Sequence, residues 1–201
     1  VKWATMNVGA SSPEGYGDYF AWGETEPYYT EGHSQDNPCS SWKTGKTGGY
    51  DWASYKWCKG SGYTMTKYCT NSSYGTVDNK NTLDLADDAA HVNWGGSWRM
   101  PTKAEQDELR TKCTWTLTSQ NGVEGYKVTS KTNGNSIFLP AAGFSVGISL
   151  GGVAGSYGVY WSSSLRASDS NYACGVGFDS GDVLTYYVPR NYGHSVRAVC
   201  P

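Results

Sequence analysis

The chain has 201 residues and a formal net charge of −2, with its basic side chains scattered, which leaves no positive field for nucleic acid. No stretch nears the ~20 apolar residues that a membrane helix needs, and the length suits one folded unit with a sizeable core. Aromatic content is 14%, with 9 Trp and 16 Tyr against 4 Phe, and 26 Gly, a turn-rich and β-leaning composition that keeps amphipathic rings close to water.

Val1-Lys2-Trp3 reads as the opening of a piece cut from a longer precursor rather than as a signal peptide. Residues 1–23 read as short extended segments broken by Gly9, Pro13, Gly15 and Gly17. Residues 24–81 are polar, aromatic and rich in Gly, Ser and Thr, with no sustained period, and read as a long loop-rich insertion. Over 82–92 the residues Leu83, Leu85, Ala86, Ala89 and Ala90 form an apolar stripe, which predicts a helix with Asp84, Asp87 and Asp88 on its solvated side. Thr102-Lys-Ala-Glu105 is a capping box, so a second helix is expected from Lys103 to Cys113.

Short β runs follow at 114–118, 126–130 and 136–140, separated by the hairpin signals Asn121-Gly122 and Asn133-Gly134. The same rhythm continues through 157–164, 172–178, 183–188 and 196–199, with Ser180-Gly181-Asp182 as a turn. The expected class is α+β, with two helices, short antiparallel strands and one long insertion.

Six cysteines (Cys39, Cys58, Cys69, Cys113, Cys174, Cys200) occur without a Cys-x-x-Cys pair, and His33, His91 and His194 are distant from them in sequence. That pattern predicts no metal site. Cys58 and Cys69 bracket a short Gly-rich segment and pair if the protein is exported, with Cys113 and Cys200 as a second pairing; free buried thiols are the alternative. No Ser/His/Asp arrangement and no phosphate-cradling Gly loop is present, and Glu105 and Glu108 read as a cap and a solvated helix face.

The composition changes sharply after Lys131. From there to Pro201 the chain contains no Lys, Glu, Gln or Met. Those four types cannot be encoded by a codon ending in a pyrimidine, whereas everything in the segment 166–194 can. Strands and turns also disfavour them, so packing chemistry is a competing explanation.

Trp94-Gly-Gly-Ser-Trp-Arg-Met-Pro-Thr-Lys-Ala-Glu105, followed by Asp107-Glu-Leu-Arg110, resembles the Trp-Arg-Leu/Met-Pro-Thr-x-x-Glu segment of C-type-lectin-fold proteins of the formylglycine-generating-enzyme branch. Residues 1–9 (Val-Lys-Trp-Ala-Thr-Met-Asn-Val-Gly), 17–24 (Gly-Asp-Tyr-Phe-Ala-Trp-Gly-Glu), 138–143 (Phe-Leu-Pro-Ala-Ala-Gly), 158–164 (Gly-Val-Tyr-Trp-Ser-Ser-Ser) and Ser195-Val-Arg197 resemble the fibrobacter-type major paralogous domain of gut Bacteroidetes surface proteins. Together these segments span most of the chain. Several members of this branch are variable proteins of diversity-generating retroelements, in which template adenines are miscopied near the C-terminus. The resemblance implies a single C-type lectin fold over 1–201, with 161–199 as its variable region.

It further implies a non-enzymatic, adhesin-like or receptor-like module displayed outside the cell. Its ligand would be a protein or glycan on another cell, a phage or a host surface, without a cofactor, and its membrane anchor would lie outside this chain. The residues placed on the diversified face are Arg166, Ser168, Asp169, Tyr172, Cys174, Gly175, Gly177, Asp182, Leu184, Tyr186, Tyr187, Val188, Pro189, Asn191 and His194. Tyr172, Tyr186, Tyr187 and Tyr192 offer large rigid contact area at low entropy cost. The competing reading of each is local: half-buried strand packing for the tyrosines, turn formation for Asn171, Asp179 and Asn191, and a bulge at Gly175 and Gly177.

Two alternatives stand beside this one. A fixed carbohydrate-binding or protein-binding adhesin would look the same without diversification. A formylglycine-generating enzyme would need two reactive cysteines near the C-terminal end, where only Cys174 and Cys200 occur, neither in a matching context. The calcium-lectin triplets Glu-Pro-Asn, Gln-Pro-Asp and Trp-Asn-Asp are absent.

Overall fold

A computed structural model describes residues 1–28, 42, 46–151 and 153–201, the side chains of 150 and 151 apart. Part of the expected insertion, with His33 and Cys39, lies outside the described residues.

The elements in chain order are β1 (Lys2–Trp3), β2 (Tyr19–Phe20), α1 (Ala89–Trp94), α2 (Lys103–Lys112), β3 (Cys113–Gln120), β4 (Val123–Ser130) and β5 (Ser136–Pro140). They continue with β6 (Phe144–Val146), β7 (Ser149–Gly151), β8 (Gly158–Leu165), β9 (Tyr172–Phe178), β10 (Val183–Pro189), β11 (His194–Ser195) and β12 (Val199–Cys200). This is a mixed α+β architecture dominated by sheet. A five-stranded sheet runs β10-β9-β8-β11-β2, beside a three-stranded β3-β4-β5 meander and the pairs β6-β7 and β1-β12. Every strand pairing is antiparallel except β11 on β8.

The α2 start follows from its sequence. Thr102 Oγ1 accepts the Glu105 N–H, and Glu105 Oε2 accepts the Thr102 N–H at 2.8 Å, so two orphan donors are satisfied at once. Arg99 pairs with both Glu105 oxygens and holds that carboxyl down to about 2. From this anchored turn α2 lays Leu109 against the sheet, while Gln106 donates to the carbonyls of Tyr160 and Trp161 at 3.0 Å each. Just beyond them β8 slips register against β9 between Trp161 and Leu165, and there Ser163 N–H donates to Pro101 O, Leu165 N–H to Asn81 O, and Leu83 N–H to Ser163 O.

The expected helix over 82–92 is corrected. The chain forms a 3-10 turn at Leu85–Asp87, breaks at Asp88 and resumes as α1. Asp88 causes the break: its carboxylate accepts from His91 N–H as an N-cap and from Met100 N–H, and both bonds require it inside. Asp87 is buried too, bonded to Lys67 Nζ at 2.6 Å and to the Tyr68 hydroxyl, so neither acid is on a solvated face. The expected Asn121-Gly122 turn appears with positive φ at both residues, as a two-residue hairpin demands.

The insertion builds a core of its own, in which Tyr28, Trp42, Tyr50, Tyr55, Met65 and Cys69 pack with Tyr19 and Ala142. Cys58, Cys69, Cys113, Cys174 and Cys200 are free thiols, so neither suggested disulfide forms. Cys58 Sγ donates to Trp52 O and Cys69 Sγ to Asn71 O.

One side chain ties the insertion to the C-terminal strands. Arg190 is fully buried; its Nε donates to Tyr55 Oη, Nη1 to the carbonyls of Tyr68 and Ser170, and Nη2 to Lys67 O. Its guanidinium stacks over Trp22 at 5.0 Å and Tyr55 at 5.4 Å. A buried cation without a carboxylate is tolerated because every donor direction meets an oxygen or a ring face.

Candidate binding face and cleft

The residues expected on one variable face divide into three groups. Ser168, Asp182, Leu184 and Tyr187 are exposed, with Leu184 at 47% and Tyr187 at 44%. Arg166, Asp169, Tyr172, Tyr186, Val188 and Pro189 are half-buried. Cys174, Gly175, Gly177, Asn191 and His194 are buried, which corrects their placement on a solvent face.

The reason is what covers the strand: Val176 and Phe178 of β9 pack in one core with Leu109 of α2, and Ala173 packs in another with Phe20 and Trp161, whereas β10 is an edge strand. A Cβ on Gly175 would stand 2.7 Å from Tyr160 O, and one on Gly177 would stand 2.6 Å from the Tyr186 ring. Cys174 is 2% exposed, and burial pushes its thiol up to about 11. His194 is 1% exposed, edge-on to Trp161 at 4.7 Å and close to Phe144, and neither ring nitrogen has a hydrogen-bond partner among the described residues. Burial holds its imidazole down to about 3.

Arg166, Ser168, Tyr172 and Tyr187 converge at the open end of the β9–β10 hairpin, whereas Asp182 lies in its turn and Leu184 beside the turn, on the face of Tyr186. Arg166 lies over the rings of Tyr187 at 4.8 Å and Tyr172 at 5.7 Å, and its Nε donates to Ser168 Oγ. The connecting loop is braced by its own backbone, with Arg166 N–H to Tyr172 O and Tyr172 N–H to Asp169 O. The insertion braces it as well, since Thr70 N–H donates to Ser170 Oγ and Thr70 Oγ1 to Ala167 O. Tyr186 points to the other face, its ring over Gly177 and edge-on to Tyr157.

Beside this patch lies a cleft of ≈ 250 Å³ lined by Asn171, Tyr172, Pro189, Asn191 and Tyr192 from the C-terminal segment and by Trp52, Ser61, Gly62 and Tyr63 from the insertion. Asn191 is 4% exposed, and among the described residues neither its Oδ1 nor the buried Oδ1 of Asn171 has a hydrogen-bond partner. Tyr63 is 70% exposed but is held parallel to Tyr74, with ring centroids 6.0 Å apart. Tyr192 likewise lies parallel to Phe144 at 6.3 Å. Sequence reasoning reached the C-terminal half of this cleft and missed Trp52 and Ser61–Tyr63, which carry no periodic signal.

The fold and this surface define a mixed α+β protein with an uncharged, aromatic-walled cleft beside an exposed hairpin edge. A family model described as a domain of unknown function (DUF8237) matches residues 115–199, which takes in the hairpin and the C-terminal half of the cleft but not the insertion. No curated protein and no solved structure matches the chain.

Proposed function

We propose that the chain is a non-enzymatic ligand-binding module of C-type lectin fold, displayed outside the cell, whose exposed C-terminal side chains are diversified by a retroelement. The observation that carries the reading is the coincidence of two properties in one segment. Residues 166–194 are encodable throughout by pyrimidine-ending codons, and Arg166, Ser168, Asp169, Tyr172, Leu184 and Tyr187 among them lie wholly or partly open on the braced β8–β9 loop and the β9–β10 hairpin. Side chains there can change without disturbing a core, which is the condition a varied surface has to meet. The ligand is a protein or glycan on another cell, a phage or a host surface. Against the formylglycine-generating alternative stands Cys174, which is 2% exposed and whose thiol burial pushes up to about 11.

One observation favours a fixed adhesin instead: Cys174, Gly175, Gly177 and His194 fall within the same codon-restricted segment and are confined by packing. Deep sequencing of this gene from a population of source cells separates the two. Under diversification, nucleotide differences cluster at the codons of Arg166, Ser168, Asp169, Tyr172, Leu184 and Tyr187 and spare Gly175, Arg190 and His194. Sparse, mostly silent differences spread along the gene would leave the fixed adhesin.

A further inference from the structure

We infer that the cleft between the insertion and the β9–β10 hairpin is a subsite for a single uncharged pyranose sugar, held by hydrogen bonds and ring stacking without a metal ion. The inference rests on the reading of this surface as ligand-binding and names the chemistry it takes.

Charge comes first. All the side chains that line the cleft are uncharged, so a carboxylate, phosphate or ammonium ligand finds no ion-pair partner in the lining, and the cation beside it, Arg166, is already seated on the Tyr172 and Tyr187 rings. Hydrogen bonding comes second. Asn171 and Asn191 line the cleft, and the side-chain oxygen of each is buried without a hydrogen-bond partner among the described residues, so a donor reaches it once the amide turns toward the cleft. Unpaired buried acceptors are rare in native proteins and mark a place where a donor is expected. Sugar hydroxyls supply such donors in adjacent pairs, and a purely apolar side chain supplies none.

Walls and size point the same way. Trp52, Tyr63, Tyr172 and Tyr192 offer ring faces and edges to the C–H faces of a pyranose, and Tyr63 is preorganised by stacking on Tyr74. A volume of ≈ 250 Å³ holds roughly eight waters at ~30 Å³ each, below the range of drug-sized pockets and suited to one ring. Gly62 lets the two walls meet: a Cβ there would stand 2.8 Å from Asn171 Oδ1. Because Trp52 and Ser61–Tyr63 lie outside the codon-restricted segment, half of the cleft stays constant whatever the hairpin carries.

The test is a titration of isotopically labelled protein, in EDTA, with methyl glycosides of glucose, galactose, mannose, N-acetylglucosamine and fucose, read by backbone amide shifts. The expected result is saturable shifts for at least one sugar at Ser61, Gly62, Tyr63, Asn191 and Tyr192. Tyr63→Ala should weaken that sugar about tenfold. Asn191→Ala should weaken it comparably while leaving the melting temperature unchanged or raised, since it removes an unsatisfied acceptor. No saturable shift with any of the five sugars, or shifts that survive both substitutions, overturns the proposal. Saturable sugar binding with uniform codons in the population would leave the cleft standing and remove diversification; scattered codons without sugar binding would do the reverse.

Discussion

β9 and β10 are joined by one turn and paired in register from Val183–Phe178 to Pro189–Tyr172, yet they live under opposite constraints. β9 reads Tyr-Ala-Cys-Gly-Val-Gly-Phe and is buried from Ala173 onward; β10 reads Val-Leu-Thr-Tyr-Tyr-Val-Pro and no residue of it is fully buried. The difference follows position in the sheet, interior for β9 and edge for β10, and the small residues of β9 fit the crowding they meet there. A segment that looks uniformly variable in sequence is therefore two segments physically, one that specifies the fold and one that is free to specify a ligand.

The largest expected effect breaks the link at the end of β10. Arg190→Ala leaves the carbonyls of Lys67, Tyr68 and Ser170 and the Tyr55 hydroxyl without their donor, and should cost about 3–5 kcal/mol in chemical denaturation. A loss below about 1 kcal/mol would mean that the insertion does not depend on this anchor.

Next comes acid. His194 binds its proton near its ordinary 6.5 when unfolded but only near about 3 when folded, so the unfolded state takes up a proton that the folded state refuses. Stability above pH 6.5 is unaffected by this group and falls by up to about 1.4 kcal/mol per pH unit as pH drops from 6.5 toward 3. His194→Gln should flatten the curve in that window; parallel curves for the two proteins would refute the buried neutral imidazole.

The smallest effects test the comparison directly. Gly175→Ala in β9 should cost about 1–3 kcal/mol, because its methyl meets the Tyr160 backbone. Leu184→Ser on β10 should move stability by no more than about 0.5 kcal/mol. Equal costs for the two would erase the distinction between the strands.

What the sequence revealed was what is local. The capping box at Thr102–Glu105 and the Asn121-Gly122 hairpin each need only a few neighbouring residues, and both appear where expected. The helix expected over 82–92 was misread because Asp87 and Asp88 are claimed by Lys67, Tyr68 and Met100, partners that a periodicity cannot see. At the candidate site, exposure of Ser168, Asp182, Leu184 and Tyr187 agrees with the composition signal. Asn191 and His194 do not, because their burial is set by contacts with Phe144, Trp161 and the insertion. Trp52 and Ser61–Tyr63 were invisible for the same reason: only the fold brings them beside residues more than a hundred positions away.

Arg190 also sets a timetable. It follows Tyr55 by 135 residues and Tyr68 by 122, so the aromatic cluster it braces is synthesised well before its anchor exists. At ~5–20 residues per second that interval is on the order of ten seconds. The insertion therefore completes its packing only after Arg190 has been made, and a nascent chain halted before Arg190 carries Tyr55 and Tyr68 without the bonds that seat them.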